Sequence, residues 1–151
     1  MVRFKNRYVC FEIMLEPLHS TTDSQPTKPL VLSNQDILRL VRENVKLNFG
    51  DSGVGHILAG MQVKHFNPHT RLGIIKVPRD HIKMVSATLA LIPHVKKTPC
   101  ALRVRHVSGT IKKCQKSAIR TDRELILAYH KDANVAQLLR DSESQISALE
   151  I

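Results

Sequence analysis

Residues 56–77 read HILAGMQVKHFNPHTRLGIIKV, two runs of β-branched and apolar residues separated by Asn67-Pro68-His69-Thr70. Asn bonds readily to its own nearby backbone and Pro fixes φ, so the four residues form a turn signal. The pattern predicts a hairpin with strands over His56 to Phe66 and Arg71 to Val77. On the N-terminal side, Ser33 followed by Asp36 is the signature of a capped helix, with Ile37, Leu38, Val41 and Val45 at helical spacing as far as Gly50. On the C-terminal side, after Pro78, Asp80 stands near the start of a second helix. Its stripe of Ile82, Val85, Leu89 and Ile92 stops at Pro93. Further out lie two alternating stretches. From Arg7 to Leu15, Val9, Phe11, Ile13 and Leu15 alternate with Tyr8, Cys10, Glu12 and Met14, as in a strand with one buried face. From Cys100 to Val107, Leu102 and Val104 point to the core, and Arg103 and Arg105 to the other face. The order is βαββαβ, the α+β ferredoxin-like sandwich that RNA-recognition-motif domains share: a four-stranded antiparallel sheet with two helices on one face.

To this unit the sequence adds C-terminal helices. After Ser108-Gly109-Thr110, Ile111, Cys114 and Ala118 fall on one side of a helical pattern, and Lys112, Lys116 and Arg120 on the other. From Leu125 onward, helical signals alternate with Asp132, Asp141 and Glu143, which predicts a helix fraying into a polar tail over 141–151. Pro17 to Pro29 holds three prolines among Ser, Thr, Asp and Gln, too polar to offset its ordering entropy. It reads as a mobile insertion, bounded at 17–31, in a single domain over residues 1–140. A chain of 151 residues with 42% hydrophobic content is long enough to bury a core and too short for two independent domains.

Lys and Arg total 23 against 13 Asp and Glu, a formal charge of +10 with a pI near 9.9, which favours polyanionic partners. A membrane is disfavoured. Met1-Val2-Arg3-Phe4-Lys5 is charged with no apolar run after it, and the longest apolar stretch, Met84 to Ile92, is too short to span. Three widely spaced cysteines, Cys10, Cys100 and Cys114, fit reduced, buried thiols better than a disulfide framework. Between Asp80 and Asp122 there is no carboxylate, yet Lys83, Lys96, Lys97, Arg103, Arg105, Lys112, Lys113, Lys116 and Arg120 fall there. Nine uncompensated cations repel one another unless a polyanion neutralises them, so the stretch predicts a basic surface. Lys112, Lys116 and Arg120 line one helical face, and Ser108, Gly109 and Thr110 place unpaired amides at that helix's N-terminus, where a phosphate fits. Arg3, Lys5 and Arg7 alternate before and into the first strand as a second phosphate-contacting arm. Aromatics are only 4% of residues, so base stacking on the sheet, the usual reading mode of such domains, is not expected.

No catalytic constellation is readable. Of the eight histidines, His56, His65, His69 and His81 make no metal spacing with any Cys or with a second His four residues on along one helix. Gly50, Gly53 and Gly55 follow a helix instead of joining strand to helix, so they shape a turn and do not cradle a nucleotide. Cys114, beside Lys112 and Lys113, reads as a buried small apolar residue, not a nucleophile. A protein nuclease using His65, His69 or His106 as acid and base is the weakest of three readings. A protein-interaction scaffold in another ribonucleoprotein is the alternative to an RNA-binding subunit.

Three segments carry a resemblance: Met1 to Tyr8, the hairpin Val63-Lys64-His65-Phe66-Asn67-Pro68 to Thr70, and His106 through Lys116. Together they resemble the Pop-five, or processing-of-precursor, subunit family of eukaryotic ribonuclease P and ribonuclease MRP, which has archaeal relatives. The Pro17 to Pro29 insertion departs from the family pattern, and the acidic tail of some relatives is reduced here to a few acids. The resemblance implies a ferredoxin-like domain that pairs with another protein subunit and supports the catalytic domain of a structured RNA. It implies no metal or cofactor bound by the protein itself. Magnesium ions on the RNA would hydrolyse precursor transfer RNA at its 5′ end, or precursor ribosomal RNA, in the nucleus and chiefly the nucleolus.

Overall fold

The computed structural model describes residues 5–15, 30–129 and 134–150. Arg3 and the expected insertion as far as residue 29 lie outside the described residues. Leu30, at the insertion's end, donates its N–H to the Pro68 carbonyl at 3.1 Å, and Lys96 Nζ donates to the Val31 carbonyl at 2.6 Å.

The chain runs β1 (Asn6–Leu15), α1 (Asn34–Ile57), β2 (Gln62–Asn67), β3 (Leu72–Pro78), a 3₁₀ turn (Arg79–His81), α2 (Ile82–Leu91), β4 (His94–Val95), β5 (Thr98–Ser108), α3 (Ile111–Tyr129) and α4 (Val135–Ser147). The sheet order is β2-β3-β1-β5-β4, antiparallel throughout. Its first four strands have the ferredoxin-like order the sequence predicted. β4 is an addition: a two-residue hairpin partner of β5 whose turn residues Lys96 and Lys97 take left-handed φ of 46° and 65°.

Ser33 caps α1 as expected. Its Oγ accepts the Asp36 N–H at 3.1 Å, and Asp36 Oδ2 accepts the Ser33 N–H at 3.0 Å. The first helical segment ends at Gly50 as expected, and α1 is two segments joined across that kink. Gly50 leaves helical geometry at φ 71° and ψ −170°, but Asp51 to Ile57 re-enter it. Of the three glycines read as a turn, only Gly50 bends the chain. Gly53 packs inside, where a Cβ would lie 2.7 Å from Phe49 Cβ. His56 and Ile57 therefore belong to the helix, and β2 starts at Gln62. A short apolar run reads alike as buried helix or strand, and here Ile57 enters the core from α1.

The larger correction concerns the sheet's second face. The expectation was two helices on one face and β1 buried on one side. Instead both faces are covered. Val9, Phe11, Ile13, Ile75, Val77 and Leu102 pack under α1 and α2 with Ile37, Val41, Val45, Val85 and Leu89. Tyr8, Cys10, Leu72 and Ile74 pack on the opposite face under Ile111, Cys114 and Ala118 of α3 and Ile146 of α4. Residues 141–147, expected in a polar tail, belong to α4, because Ser142 and Ile146 are buried against this second core. Gln115 Nε2 donates to the carbonyls of Ile146 at 2.9 Å and Leu149 at 2.8 Å, closing the end of α4 onto α3.

A buried polar cluster joins these helices to the hairpin. Asn67 Nδ2 donates to Asp122 Oδ2 at 3.1 Å and to Ser142 Oγ at 3.3 Å, and Thr70 Oγ1 donates to Asp122 Oδ1. Burial raises the Asp122 carboxyl above its ordinary range, and the bonds from Thr70 and Asn67 pull against that rise.

Candidate nucleic-acid interface

Tyr8 of β1 pairs with Ser108 at the end of β5, so the N-terminal arm and the loop before α3 meet at one corner of the sheet. Arg7 Nη1 donates to the Asn6 carbonyl at 3.0 Å and lies 3.6 Å from where a Gly109 side chain would begin. The guanidinium thus lies against Gly109 at the start of α3, at ordinary van der Waals distance. Lys5 is exposed beside it. Lys112, Lys113 and Lys116 are exposed along the first turns of α3, and its first turn holds no acid. Opposite them Ile111, Cys114 and Ala118 are buried, which is the division that the helical periodicity predicted. Burial pushes the Cys114 thiol up to about 12, which leaves it protonated and unreactive at neutral pH.

The loop amides differ from expectation. Ser108 Oγ accepts the Thr110 N–H at 3.3 Å, and Thr110 Oγ1 accepts the Lys113 N–H at 3.4 Å. Two of the donors expected to await a phosphate are thus taken by the loop's own hydroxyls, as helix caps usually are. The anion-attracting quality of this corner comes instead from its side chains and from the helix dipole.

The carboxylate-free stretch does not form one continuous basic surface. Arg105 Nε pairs with Glu12 Oε2 at 2.7 Å, Arg120 Nε lies 3.5 Å from Glu124 Oε1, and Lys96 is held by the Val31 carbonyl in the β4–β5 hairpin. Arg103 is exposed on β5, with Glu12 as its cross-strand neighbour. The structure therefore brings together Arg7, Gly109, Lys112 and Lys113, continued by Lys116. Arg103 and Arg105 stand apart, higher on β5. The residue that sequence reasoning missed is Glu12, whose only signal was an acid in the alternate row of β1.

His65 and His106 are also separated, whereas His56 and His81 stack with ring centroids 4.7 Å apart. Register places His65 opposite Ile74, Ile74 opposite Cys10, and Cys10 opposite His106. His65 and His106 thus share a row but sit three strand spacings apart, about 14 Å, too far for one to act with the other on a single phosphodiester. Among the described residues, no three of His, Cys, Asp and Glu lie close enough together to hold a metal ion.

The family model described as Rpp14/Pop5 matches residues 7–119. A ribonuclease P/MRP protein subunit POP5 from Schizosaccharomyces pombe is 38% identical over 128 residues, covering 83% of this chain and 91% of that protein. The probable counterpart in Arabidopsis thaliana is 31% identical over 124 residues, covering 82% of this chain and 81% of its own length. The Homo sapiens protein of the same name is 28% identical over 131 residues, covering 84% and 76%. Among solved structures, a chain of the cryo-EM structure of yeast ribonuclease MRP superposes with a TM-score of 0.51 at 11% identity, covering 97% of this chain and 95% of that one. At that identity the likeness is one of fold.

Proposed function

The chain belongs to the Rpp14/Pop5 family, and from that premise we propose that it is a non-catalytic protein subunit of ribonuclease P and ribonuclease MRP that binds and stabilises their RNA. The observation that supports this most directly is the corner where Arg7 and the exposed Lys112, Lys113 and Lys116 converge without an acid in the first turn of α3. Such a ridge meets a phosphate backbone and releases its condensed counterions on binding. The partners in this reading are the structured RNA and the other protein subunits of the particle. The RNA, with magnesium ions that it holds, performs the hydrolysis, and the substrates are precursor transfer RNA at its 5′ end and precursor ribosomal RNA. The place of action is the nucleus, chiefly the nucleolus. No helix among the described residues is long and apolar enough to cross a membrane.

The test replaces Lys112, Lys116 and Arg120 together with Ala and measures binding to a ribonuclease P RNA transcript over a range of salt. The expected loss is about 1 kcal/mol or less per cation, because these groups are exposed and screened, with Arg120 contributing least because Glu124 already engages it. The slope of log affinity against log salt should become shallower by roughly 0.7–0.9 per contact removed. Thermal stability should stay near that of the parent, since the buried side of α3 is untouched. Unchanged affinity at unchanged stability would remove α3 as the contact surface.

A further inference from the structure

We infer that Glu12 is a positioning residue that orients Arg105 as a geometry-specific RNA contact, an inference that rests on the RNA-binding reading above. Across β1 and β5, Cys10 faces His106 and Phe11 faces Val104, so Arg105 is an extra residue, a β-bulge. A bulge turns one side chain out of the regular pleat. Arg105 Nε then donates to Glu12 Oε2 at 2.7 Å, between residues 93 apart in sequence. The Glu12 side chain is 8% exposed and that of Arg105 is 27% exposed.

Stability alone does not account for this pair. Placing a carboxylate on the central strand costs desolvation energy that its attraction to one guanidinium roughly balances, and an apolar pair of similar volume would serve as well. What the pair supplies is orientation. With Nε anchored to a buried carboxylate, the two terminal nitrogens form a planar fork of four N–H donors at the partly exposed end. Among the described residues, the Arg105 guanidinium makes no other side-chain hydrogen bond. Such a fork matches two acceptors held side by side, either two oxygens of one phosphate or N7 and O6 of a guanine. Because Glu12 cancels the charge of Arg105, the contact depends on fit more than on long-range attraction. That separates it in kind from the lysines of α3.

The sign of one substitution decides between positioning and mere neutralisation. Glu12→Gln keeps shape and adds one net positive charge. If Glu12 only neutralises Arg105, the variant binds RNA more tightly, by up to about fivefold. If Glu12 positions Arg105, the variant binds more weakly, by roughly tenfold, despite its added charge. Arg105→Lys keeps the charge and loses the fork, so it should weaken binding to a similar extent while leaving the salt slope unchanged. The two changes combined should cost no more than either alone.

The full chain would be titrated against a ribonuclease P RNA transcript, with thermal unfolding measured alongside. Tighter or unchanged binding by Glu12→Gln overturns the inference, as does unchanged binding by Arg105→Lys, which stays decisive should the first variant fail to fold. If the parent itself binds the transcript without salt dependence, the RNA-binding reading falls first and this inference with it. A transcript carrying 7-deazaguanine distinguishes the two acceptor sources, since it removes N7 and leaves every phosphate in place.

Discussion

Gly73 has no room for a methyl group, because a Cβ there would lie 2.4 Å from Phe11 Cζ and 2.6 Å from Cε1. Both residues are part of the central sheet, where Phe11 faces Gly73 in register and neither strand can shift without breaking its ladder. Gly73→Ala should therefore destabilise the fold by about 1–3 kcal/mol through overpacking. Adding Phe11→Leu should recover part of the loss, and urea unfolding of the two variants would show it. His65 is a second sensitive point. Its Nε2 is buried without a hydrogen-bond partner, and burial lowers its pKa from the ordinary 6.5. The folded state thus favours the neutral ring. Its stability contribution is present above about 6.5 and is lost as pH falls from there through the lowered folded value. The thermal midpoint of the parent should drop between about pH 7 and pH 5, and His65→Gln should flatten that part of the curve.

At the scale of elements, α4 matters more than its polar composition suggests. Ile146 is fully buried against Tyr8, Cys10, Leu72 and Ile74, and the cluster of Asn67, Asp122 and Ser142 fastens the same helix to the hairpin. Ile146→Ala should cost about 2–4 kcal/mol in denaturant unfolding. Amide exchange should show α4 loosening before β1 does. The elements were legible wherever apolar spacing was long and clean: α2, the inner side of α3, and the strand order that follows from the hairpin's place between two helices. They were illegible where one residue had two readings. Gly50 carries a true break signal, yet the helix resumes after it. The alternate row of β1 mixes Tyr8 and Cys10 with Glu12 and Met14, so nothing local announced that α3 and α4 would cover it. Asp141 and Glu143 hid Ile146 by suggesting a solvated tail. The Glu12–Arg105 pair spans 93 positions and two strands, a distance over which no pattern in the chain carries information.

Taken whole, the molecule presents a cationic corner on a sheet closed on both faces, with His65 and His106 three strands apart. The purified chain, free of RNA, should leave precursor transfer RNA intact in magnesium buffer. Cleavage that survives removal of all RNA and is lost on substituting His65 or His106 would overturn this. The covered sheet also bears on how the chain is made. β1 is translated first, yet its neighbours β3 and β5 begin only at Leu72 and Thr98, and its second face is closed by helices beginning at Ile111 and Val135. At roughly 5–20 residues per second on the ribosome, the ten-residue strand waits about 4–17 s for β5 alone. For that interval an apolar, strongly β-forming segment stands without a partner, guarded by Arg7 near one end and Glu12 towards the other. The nascent chain is thus most exposed to chaperones, or to misassembly with its own copies, before its last forty residues emerge, and substitutions that remove either charge should lower soluble yield even where the finished fold tolerates them.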